Sequence, residues 1–390
     1  MNDSAPRILI IGAGIGGLSA ACALQRAGLD VRVFERAPEI REVGAGLAVW
    51  ANAIKALQQL GVADRVVAAG VEVLDYQFRS WNGRPLIRVP VGEMRDEVGA
   101  ASVVVRRADV QMALWRALGS GVVQVNSNCV GFSQDSEGVT ARFADGREER
   151  GTILIGADGI KSVTRSQQLG QSKLRYSGYH CWRSIAEFRD PALPVGSSWL
   201  FWGRGARFGV SYVGAGRVYW YAMVNASEDA PDPEVGRQQR VLDRFRNWAH
   251  PVSAVIEATE PTAILHNVLH DLPPFERWGE GRVTLLGDAA HPTTPNMGQG
   301  ACQAIEDSVA LGKCLAGARA NGKGDMLSGL RSYEHVRRDY TAHITNLSWH
   351  IGRVGQWENP LACMLRNALL KVLPNNVMRK SLQSNLAHDV

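Results

Sequence analysis

The sequence predicts an α/β fold with α+β character, in which a domain assembled from separated segments surrounds an inserted mixed β-sheet and is followed by a C-terminal helical segment. Residues 7–36 have the pattern of a short buried strand, a glycine turn, a helix and a second strand, which indicates a βαβ unit. Residues 176–224 alternate in the manner of strands, whereas helical spacing dominates from residue 298 to the end. A chain of 390 residues is long enough for two or three domains.

Periodicity and turn residues predict the elements between these segments. Helical spacing predicts helices over residues 47–69, 107–118 and 234–250. The predicted strands are 76–91, interrupted by turn signals at Asn82-Gly83 and Pro85; 122–132; 138–144 and 150–156, joined by Asp145-Gly146; and 282–287. The resulting division is a first domain of residues 1–75, 101–175 and 276–350, an inserted sheet domain of residues 76–100 and 176–275, and a helical segment of residues 351–390.

The composition excludes several classes of protein. Hydrophobic residues make up 45% and charged residues 21% of the chain, which rules out wholesale disorder, collagen and coiled coil. The net charge of +5 is spread without long basic runs, so nucleic acid is not an expected partner. Six cysteines without CxxC spacing suggest no metal site. They predict reduced thiols and a cytoplasmic location, since no export signal or membrane-spanning apolar run is recognised.

The first glycine turn carries a dinucleotide-binding pattern. Gly12-x-Gly14-x-x-Gly17 follows a strand and opens a helix, and Glu35 ends the next strand. Glycines permit the tight turn, the helix N-terminus presents unpaired N–H groups to a pyrophosphate, and the carboxylate accepts hydrogen bonds from ribose hydroxyls. The pattern predicts a bound dinucleotide and leaves FAD and NAD both open.

Two later segments resemble the flavin motifs of monooxygenases. Residues 156–165 read GADGIKSVTR, and residues 287–292 read GDAAHP, followed by PNMGQG at 295–300. With Arg107 in RRADV between the motifs, the chain resembles the single-component (class A) FAD-dependent aromatic hydroxylases, which include salicylate hydroxylases, urate hydroxylase and zeaxanthin epoxidases. The resemblance implies a Rossmann-like FAD-binding domain, a substrate-binding inserted sheet over the isoalloxazine ring, and no separate NAD(P)H domain.

The resemblance and the glycine pattern together give a set of predicted cofactor contacts. Arg36 and the backbone at Val130 would flank the adenosine, and Arg107 would reach the ribityl and pyrophosphate region. Asp288 ends a predicted strand at its carboxyl edge, where it can accept bonds from ribityl hydroxyls. The predicted FAD-binding residues are Gly12, Gly14, Gly16, Gly17, Glu35, Arg36, Arg107, Val130, Asp158, Asp288, Gly298, Gly300 and Ala301.

The turn at residues 295–301 is the predicted catalytic segment. Its N–H groups and the positive end of the following helix would favour negative charge on the flavin pyrimidine ring. The predicted catalytic residues are Pro295, Gly298, Gly300 and Ala301.

Four further positions have less specific interpretations. Asp158 and Arg165 either link the cofactor domain to the substrate sheet or form a buried ion pair. His291 is predicted to be structural. Trp50-Ala51-Asn52 departs from the family, whose members usually have a proline before this asparagine.

Aromatic residues are concentrated in the inserted sheet. They are 7% of the chain, yet the segment from Tyr176 to Tyr221 contains 12 of the 28. Within it, Gly214-Ala-Gly216 predicts a hairpin with a three-residue loop. The predicted cross-strand pairs are Val213 with Arg217, Ser211 with Tyr219, Gly209 with Tyr221, and Arg207 with Met223.

The two faces of this hairpin have different predicted roles, because side chains alternate along a strand. The opposite face, with Phe208 and Trp220, is a predicted core. The predicted substrate residues are Arg207, Tyr219 and Tyr221, because two tyrosines opposite glycine and serine leave room for a flat ligand and an arginine supplies a charged handle. Arg207 and Tyr219 also match substrate contacts of the urate hydroxylase branch.

The resulting functional prediction is an enzyme that hydroxylates an aromatic or heteroaromatic small molecule. It would use non-covalent FAD, NAD(P)H as a transient co-substrate and O2, through a flavin C4a-hydroperoxide, and the flavin would move outward to meet NAD(P)H. The alternatives are epoxidation of an alkene or fused heteroaromatic, and a flavin-binding redox sensor without turnover. The chain is expected to be a monomer or homodimer. The apolar helix at 351–373 is predicted to pack on the cofactor domain or a dimer partner rather than on a membrane.

Overall fold

The computed structural model describes residues 7–40, 45–320, 326–372 and 375–390. The strands are β1 (Arg7–Ile11), β2 (Asp30–Phe34), β3 (Gly46–Val49), β4 (Val71–Glu72), β5 (Asp75–Ser80), β6 (Pro85–Val89), β7 (Val103–Arg106), β8 (Val123–Gln124), β9 (Cys129–Gln134), β10 (Val139–Phe143), β11 (Glu148–Gly151), β12 (Ile153–Gly156), β13 (Arg175–Glu187), β14 (Ser197–Trp202), β15 (Ala206–Gly214), β16 (Arg217–Asn225), β17 (Leu265–Asp271) and β18 (Val283–Leu285).

The helices alternate with these strands in the first half of the chain and dominate its end. They are α1 (Ile15–Arg26), α2 (Ala51–Gln59), α3 (Ala63–Ala69), α4 (Arg95–Val98), α5 (Arg107–Ala117), α6 (Val163–Leu169), α7 (Arg237–Phe245), α8 (Val252–Glu257), α9 (Gly300–Ala320), α10 (Met326–Gly355), α11 (Pro360–Val372) and α12 (Asn375–Leu386). Within the described ranges, no helix is both long and apolar enough to cross a bilayer.

A five-stranded parallel sheet forms the nucleotide-type half of the molecule. Its order is β18-β12-β1-β2-β8, so strands from widely separated parts of the chain form one sheet. The central strand β1 is fully buried along Ile8, Leu9 and Ile10, as expected for a strand covered by helices on both faces. The carboxyl ends of β1, β12 and β18 meet at one edge, which brings the glycine turn, Asp158 and Asp288 to the same side of the sheet. This architecture confirms the predicted assembly from separated segments.

A seven-stranded sheet faces that edge. Its order is β17-β13-β16-β15-β14-β5-β6, and the β14–β5 pair is parallel whereas the other neighbours are antiparallel. The inserted sheet is therefore mixed, as predicted. Its outer face packs Phe208 and Trp220 against Phe245 and Val252 of α7 and α8, so the prediction of a core on this side of the hairpin is confirmed.

Three predicted elements differ in the structure. The helix predicted over 47–69 is instead β3 followed by α2 and α3, because Gly46–Val49 pair with β7. The strand predicted over 122–132 is instead β8 and β9, because β8 pairs with β2 while β9 pairs with β10. The strand predicted over 150–156 is split at Thr152, because β11 pairs with β10 while β12 pairs with β1. In all three cases pairing with distant strands decides the conformation, and local periodicity does not report it.

The β15–β16 hairpin has the predicted register except at its end. The observed pairs include Ser211 with Tyr219, Gly209 with Tyr221, and Arg207 with Met223. The predicted Val213–Arg217 pair is wrong, because Gly214 pairs with Arg217 after a register shift. The turn is Ala215-Gly216, with φ values of 51° and 70°. Two residues with positive φ form a two-residue turn whose twist matches that of the flanking strands. Because Gly214 rather than Val213 then pairs with Arg217, Val213 is the extra residue of a β-bulge.

Ala215→Gly is expected to raise the free energy of unfolding by about 1 kcal/mol, because a left-handed conformation strains a residue with a Cβ atom. Urea denaturation of the two proteins measures the difference. Gly216→Ala should instead lower the free energy of unfolding, because the φ of Gly216 is also positive and an added Cβ would meet the Arg189 guanidinium. A loss of stability in Ala215→Gly would contradict the turn.

Helix α11 has an exposed apolar face. Its inner side contains Cys363 and the Arg366 guanidinium, which donates to the Gly203 carbonyl at 3.0 Å. The exposed residues are Leu361, Met364, Leu365, Leu369 and Val372. The prediction that this apolar stripe packs on the cofactor domain is wrong for these five side chains, because the cofactor domain covers none of them. Contact with a dimer partner stays a prediction.

Candidate active site

The candidate site lies between the carboxyl edge of the parallel sheet and the inner face of the seven-stranded sheet. Its cavity has a volume of about 910 Å³. One wall is made by β3 and by residues 288–298, and the other by side chains on one face of β5, β13, β14, β15 and β16 together with residues 267–270 of β17. Tyr76, Leu200, Tyr219, Tyr221 and Met223 make much of this second wall apolar and aromatic.

A second, smaller cavity of about 210 Å³ follows the glycine turn. It is lined by Gly12, Gly14, Glu35, Arg36 and Asp158, among others. The Glu35 carboxylate accepts hydrogen bonds from the backbone N–H groups of Ala13 at 2.8 Å and Ala37 at 2.9 Å. The carboxylate is thereby fixed at the end of β2, beside the start of α1.

The glycines of this turn serve different purposes. A Cβ atom on Gly17 would overlap the Gly12 carbonyl, and one on Gly12 would lie 2.5 Å from the Ala157 carbonyl oxygen. A Cβ on Gly16 would press on Leu286, so this glycine permits helix–sheet packing. Nothing lies within 4 Å of a Cβ on Gly14. Gly14 therefore has open space where the other three are enclosed by protein.

The remaining residues predicted near the adenosine have mixed positions. Arg36 is exposed and lines the small cavity. Val130 is 53% exposed and is not in the lining, although its neighbour Cys129 is.

Asp158 and Arg165 do not pair with each other. The Asp158 carboxylate accepts hydrogen bonds from Ser162 and from the backbone N–H of Thr164 at 3.1 Å, which fixes the turn into α6. The Arg165 guanidinium donates to the Ala289 carbonyl at 2.9 Å. The proposed buried ion pair is therefore wrong; Arg165 instead links α6 to the turn that follows β18.

Asp288 lines the large cavity, and Arg107 lies close enough for the two charges to interact. Both side chains are exposed to solvent. Burial raises the pKa of the Asp288 carboxyl, and His291, Arg107 and Arg165 oppose that rise. Burial lowers the pKa of Arg107, and Asp288 opposes that change. The neighbouring Arg106 points elsewhere and pairs with Asp109.

The turn before α9 is held from α2. Gly298 has φ 64°, which is the left-handed conformation that glycine adopts readily. Trp50 Nε1 donates to the Met297 carbonyl at 3.1 Å, and Asn52 Nδ2 donates to Gln299 Oε1 at 3.1 Å. The first N–H groups of α9, including those of Gly300 and Ala301, have no acceptor within the helix.

The residue that replaces the family proline has its own partner. The backbone N–H of Ala51 donates to Ser102 Oγ at 3.1 Å in the buried start of α2. Proline would lack this donor. The departure from the family pattern is therefore accommodated by a hydrogen bond from Ala51 to Ser102.

The three predicted substrate residues do not have equivalent positions. Tyr219 and Tyr221 line the large cavity, and burial raises the pKa of Tyr221 to about 12, so that its hydroxyl stays neutral. The Tyr221 ring covers Gly209, so the glycine makes room for the tyrosine rather than for a ligand. Arg207 is 5% exposed and lies outside the lining. Its guanidinium donates to Asn296 Oδ1 at 2.6 Å and to Gln356 Oε1 at 3.0 Å.

Comparisons with known proteins agree on one family. The family model described as "FAD binding domain" matches residues 6–348. The chain is 38% identical to the aurachin C monooxygenase/isomerase of Stigmatella aurantiaca, over 97% of both chains. It is 36% identical to an FAD-dependent urate hydroxylase of Klebsiella pneumoniae, over 85% of this chain and 86% of that protein.

The chain belongs to the FAD-dependent monooxygenase family. This confirms the predicted family, cofactor and enzyme class. Among solved structures, this monooxygenase is similar to Klebsiella pneumoniae HpxO complexed with FAD and uric acid, with a TM-score of 0.90, 30% sequence identity, and coverage of 98% of this chain and 96% of that one.

The FAD-binding region of this monooxygenase fits the cofactor. Gly14 leaves open space at the N-terminus of α1, and Glu35 is fixed beside it. A helix N-terminus with unpaired N–H groups suits a pyrophosphate. Asp288 and Arg107 provide an acceptor and a donor beside the larger cavity. Lys161 lines both cavities, so the two adjoin. The path from the Gly14 turn past Asp158 to Asp288 is called the cofactor groove below, and its residues are suitable donors and acceptors for FAD.

A buried charge network supports the monooxygenase's α9. Arg337 donates to Asp307 at 2.7 Å and lies 3.0 Å from Glu306, and all three side chains are fully buried. His291 Nε2 lies 2.6 Å from the same Asp307 carboxylate. His291 therefore has the structural position that was predicted for it. Glu306 also accepts from Asn52 at 2.6 Å, so the network reaches the turn that Asn52 holds.

Sequence patterns did not single out two polar residues of the large cavity, Arg183 and Asn296. Asn296 accepts from Arg207, and its amide donates to the Ser348 carbonyl at 2.9 Å. No local sequence pattern marks Asn296, because these partners lie far away in the chain, in β15 and α10. Arg183 lies in β13 among alternating residues, and the alternation alone would have placed it on the same face as Cys181.

Proposed function

We propose that this monooxygenase hydroxylates an aromatic or heteroaromatic small molecule in the cavity beneath the seven-stranded sheet, with NAD(P)H and O2 as co-substrates. The observation that carries the proposal is the continuity of the large cavity. It joins Asp288 and the Pro295–Gly298 turn on the cofactor side to Tyr76, Tyr219 and Tyr221 on the sheet side. A flat ring bound against these aromatic side chains would lie next to the flavin end of the cofactor groove.

Non-covalent FAD would be held along the whole groove. The N-terminus of α1 at Gly14 would take the pyrophosphate, with Gly12, Gly16 and Gly17 forming the turn. Glu35, Arg36 and the backbone at Val130 would lie around the adenosine. Arg107, Asp158 and Asp288 would line the path to the ribityl chain. Bound FAD would supply the redox chemistry, in which two electrons from NAD(P)H reduce O2, one oxygen atom enters the organic substrate and the other leaves as water.

The chain's own residues would position the reactants and exclude water. The N–H groups of Gly300 and Ala301, after the Pro295–Gly298 turn, would donate to the pyrimidine edge of the flavin, and the positive end of α9 would favour negative charge there. Tyr219 and Tyr221 would contact the substrate. Arg207 would act through Asn296, which it fixes in the cavity wall. Closure of the cavity by the sheet would keep bulk water from the reacting atoms.

The test is NAD(P)H oxidation by the purified yellow protein with a panel of phenols, salicylates, quinolones, indoles and purines. We expect at least one ring compound to stimulate oxidation of NADH or NADPH and to yield an oxygenated product in proportion. A product with a new hydroxyl on an intact ring supports hydroxylation. An epoxide, or a product formed by rearrangement of an epoxide, would instead show that the enzyme is an epoxidase. Bound FAD without stimulation by any compound would favour the redox sensor.

A further inference from the structure

Arg183 is a positive charge in the substrate cavity without a negative partner. It lies in the middle of β13, between Tyr221 of β16 and Leu265 of β17, and lines the large cavity. The ion pairs formed by the described residues include none with Arg183, and its Nε atom is buried without a hydrogen-bond partner. Its guanidinium contacts the Tyr219 hydroxyl.

The other arginines around the cavity are already engaged. Arg207 donates to Asn296 and Gln356, and Arg165 donates to the Ala289 carbonyl. Arg107 interacts with the Asp288 charge. Asp288 is influenced by His291, Arg107 and Arg165, and Arg183 is not among the charges that act on it. Glu228, the other carboxylate of the cavity lining, lies 2.7 Å from His270 Nε2. Of these four arginines, Arg183 is the one that lines the large cavity, and it forms no ion pair within the described ranges.

The weakly acidic side chains beside Arg183 on the sheet, those of Cys181, Tyr219 and Tyr221, are neutral at physiological pH. Burial raises the pKa of the Cys181 thiol to about 11 and that of Tyr221 to about 12, and Arg183 and Arg207 only partly oppose these rises. Burial raises the pKa of Tyr219 as well. None of these groups supplies an anion for the guanidinium, which stays protonated in proteins.

A partly buried cation with no counter-charge is unfavourable in the free protein and becomes favourable when a ligand supplies the anion. The planar guanidinium can donate two hydrogen bonds to a carboxylate or one to an ionised ring hydroxyl. The Tyr219 hydroxyl is a second donor next to it. The surrounding wall, with Leu200, Met223 and Leu269, suits the apolar remainder of an aromatic ligand.

We propose that Arg183 is the anion-recognition residue of the cavity, and that the substrate carries an anionic oxygen on or next to its aromatic ring. The guanidinium binds this oxygen with Tyr219 as the second donor, and the anion sets the orientation of the ring relative to the cofactor side of the cavity. The proposal rests on the proposed function for the identity of the ligand as substrate, and it adds the charge of that substrate.

The test compares matched ligand pairs in the FAD-loaded wild type, Arg183→Gln and Arg183→Lys. One pair is an aromatic carboxylate and its carboxamide, and the other is an acidic ring hydroxyl and its methyl ether. Perturbation of the flavin absorbance gives the dissociation constants, and product formation gives kcat/KM. Arg246→Gln is the control, because Arg246 is an exposed arginine on the outer side of the same domain.

We expect the wild type and Arg246→Gln to bind the anionic member of at least one pair more tightly. Arg183→Gln should weaken that binding by about 10- to 100-fold, as for loss of a charge-assisted hydrogen bond, and should leave the neutral member within about twofold. Arg183→Lys should keep part of the preference. A response of the carboxylate–carboxamide pair identifies the anionic group of the substrate as a carboxylate. A response of the hydroxyl–ether pair identifies it as an ionised ring hydroxyl.

Equal weakening of the anionic and neutral members in Arg183→Gln would overturn the proposal, as would a wild-type preference for neutral ligands. Failure of the proposed function gives a different result: the charge preference would persist in the binding measurements, while no member of either pair yields an oxygenated product.

Discussion

Gly14→Ala is expected to weaken FAD binding by about 10- to 100-fold without unfolding the protein. Gly14 has φ −70° and a Cβ there would meet no protein atom within 4 Å, so alanine fits the free chain. The same Cβ would occupy the open space at the N-terminus of α1, where the backbone must approach the pyrophosphate closely. FAD titration of the apoprotein gives the affinity, and circular dichroism with a urea melt reports the fold.

Two other glycines separate cofactor effects from folding effects. Gly17→Ala should lower stability as well as FAD binding, because its Cβ would overlap the Gly12 carbonyl. Gly317→Ala, on the open surface of the last turn of α9, should leave FAD binding unchanged and raise stability by about 0.5–1 kcal/mol. Unchanged FAD affinity in Gly14→Ala would contradict the assignment of the pyrophosphate to this turn.

Asp307→Asn is expected to lower the free energy of unfolding by about 3–5 kcal/mol, because it leaves a buried positive charge without its main partner. The carboxylate accepts from Arg337 at 2.7 Å and from the backbone N–H of Gly287 at 3.1 Å, and contacts His291. Urea denaturation of the apoprotein measures the loss. Asp339→Asn removes an exposed partner of Arg338 from the neighbouring surface of α10 and should cost about 0.5 kcal/mol or less.

The same carboxylate predicts how stability depends on pH. Burial alone would raise the pKa of Asp307, but His291 and Arg337 outweigh it and hold that pKa below the ordinary value of 3.8. A carboxyl whose pKa is lower in the folded state stabilises the protein above its unfolded pKa and loses that contribution as pH falls through the folded pKa. Wild-type stability should therefore fall below about pH 4 more steeply than that of Asp307→Asn. Parallel curves would contradict a charged Asp307.

Local sequence signals were sufficient for the strand ends of the parallel sheet. The glycine turn, Glu35 and Asp288 each follow a strand directly, and parallel strands bring their carboxyl ends to one edge. The hairpin register at Tyr219 and Tyr221 was also predictable, because a glycine turn and alternation fix it. Its last pair was not, since the choice between a three-residue loop and a two-residue turn with a bulge depends on φ at Ala215.

The sequence did not allow us to predict which arginine of the site is available to bind a ligand. Arg207 and Arg183 have similar alternating surroundings in the sequence, yet Arg207 is held by Asn296 and Gln356, which are 89 and 149 positions away. The Nε atom of Arg183 has no acceptor among the described residues. Whether an arginine is free to bind a ligand depends on these distant partners, and a single sequence does not reveal them.

The most direct test of oxygen transfer in this cavity is turnover of the best substrate under 18O2 with NAD(P)H, followed by mass spectrometry of the product. A monooxygenase incorporates one 18O atom per product molecule and consumes one NAD(P)H for it. We expect a single labelled oxygen on the ring. Product that carries oxygen only from water, or NAD(P)H oxidation that yields hydrogen peroxide and unaltered ring compound with every member of the panel, would contradict the proposed function.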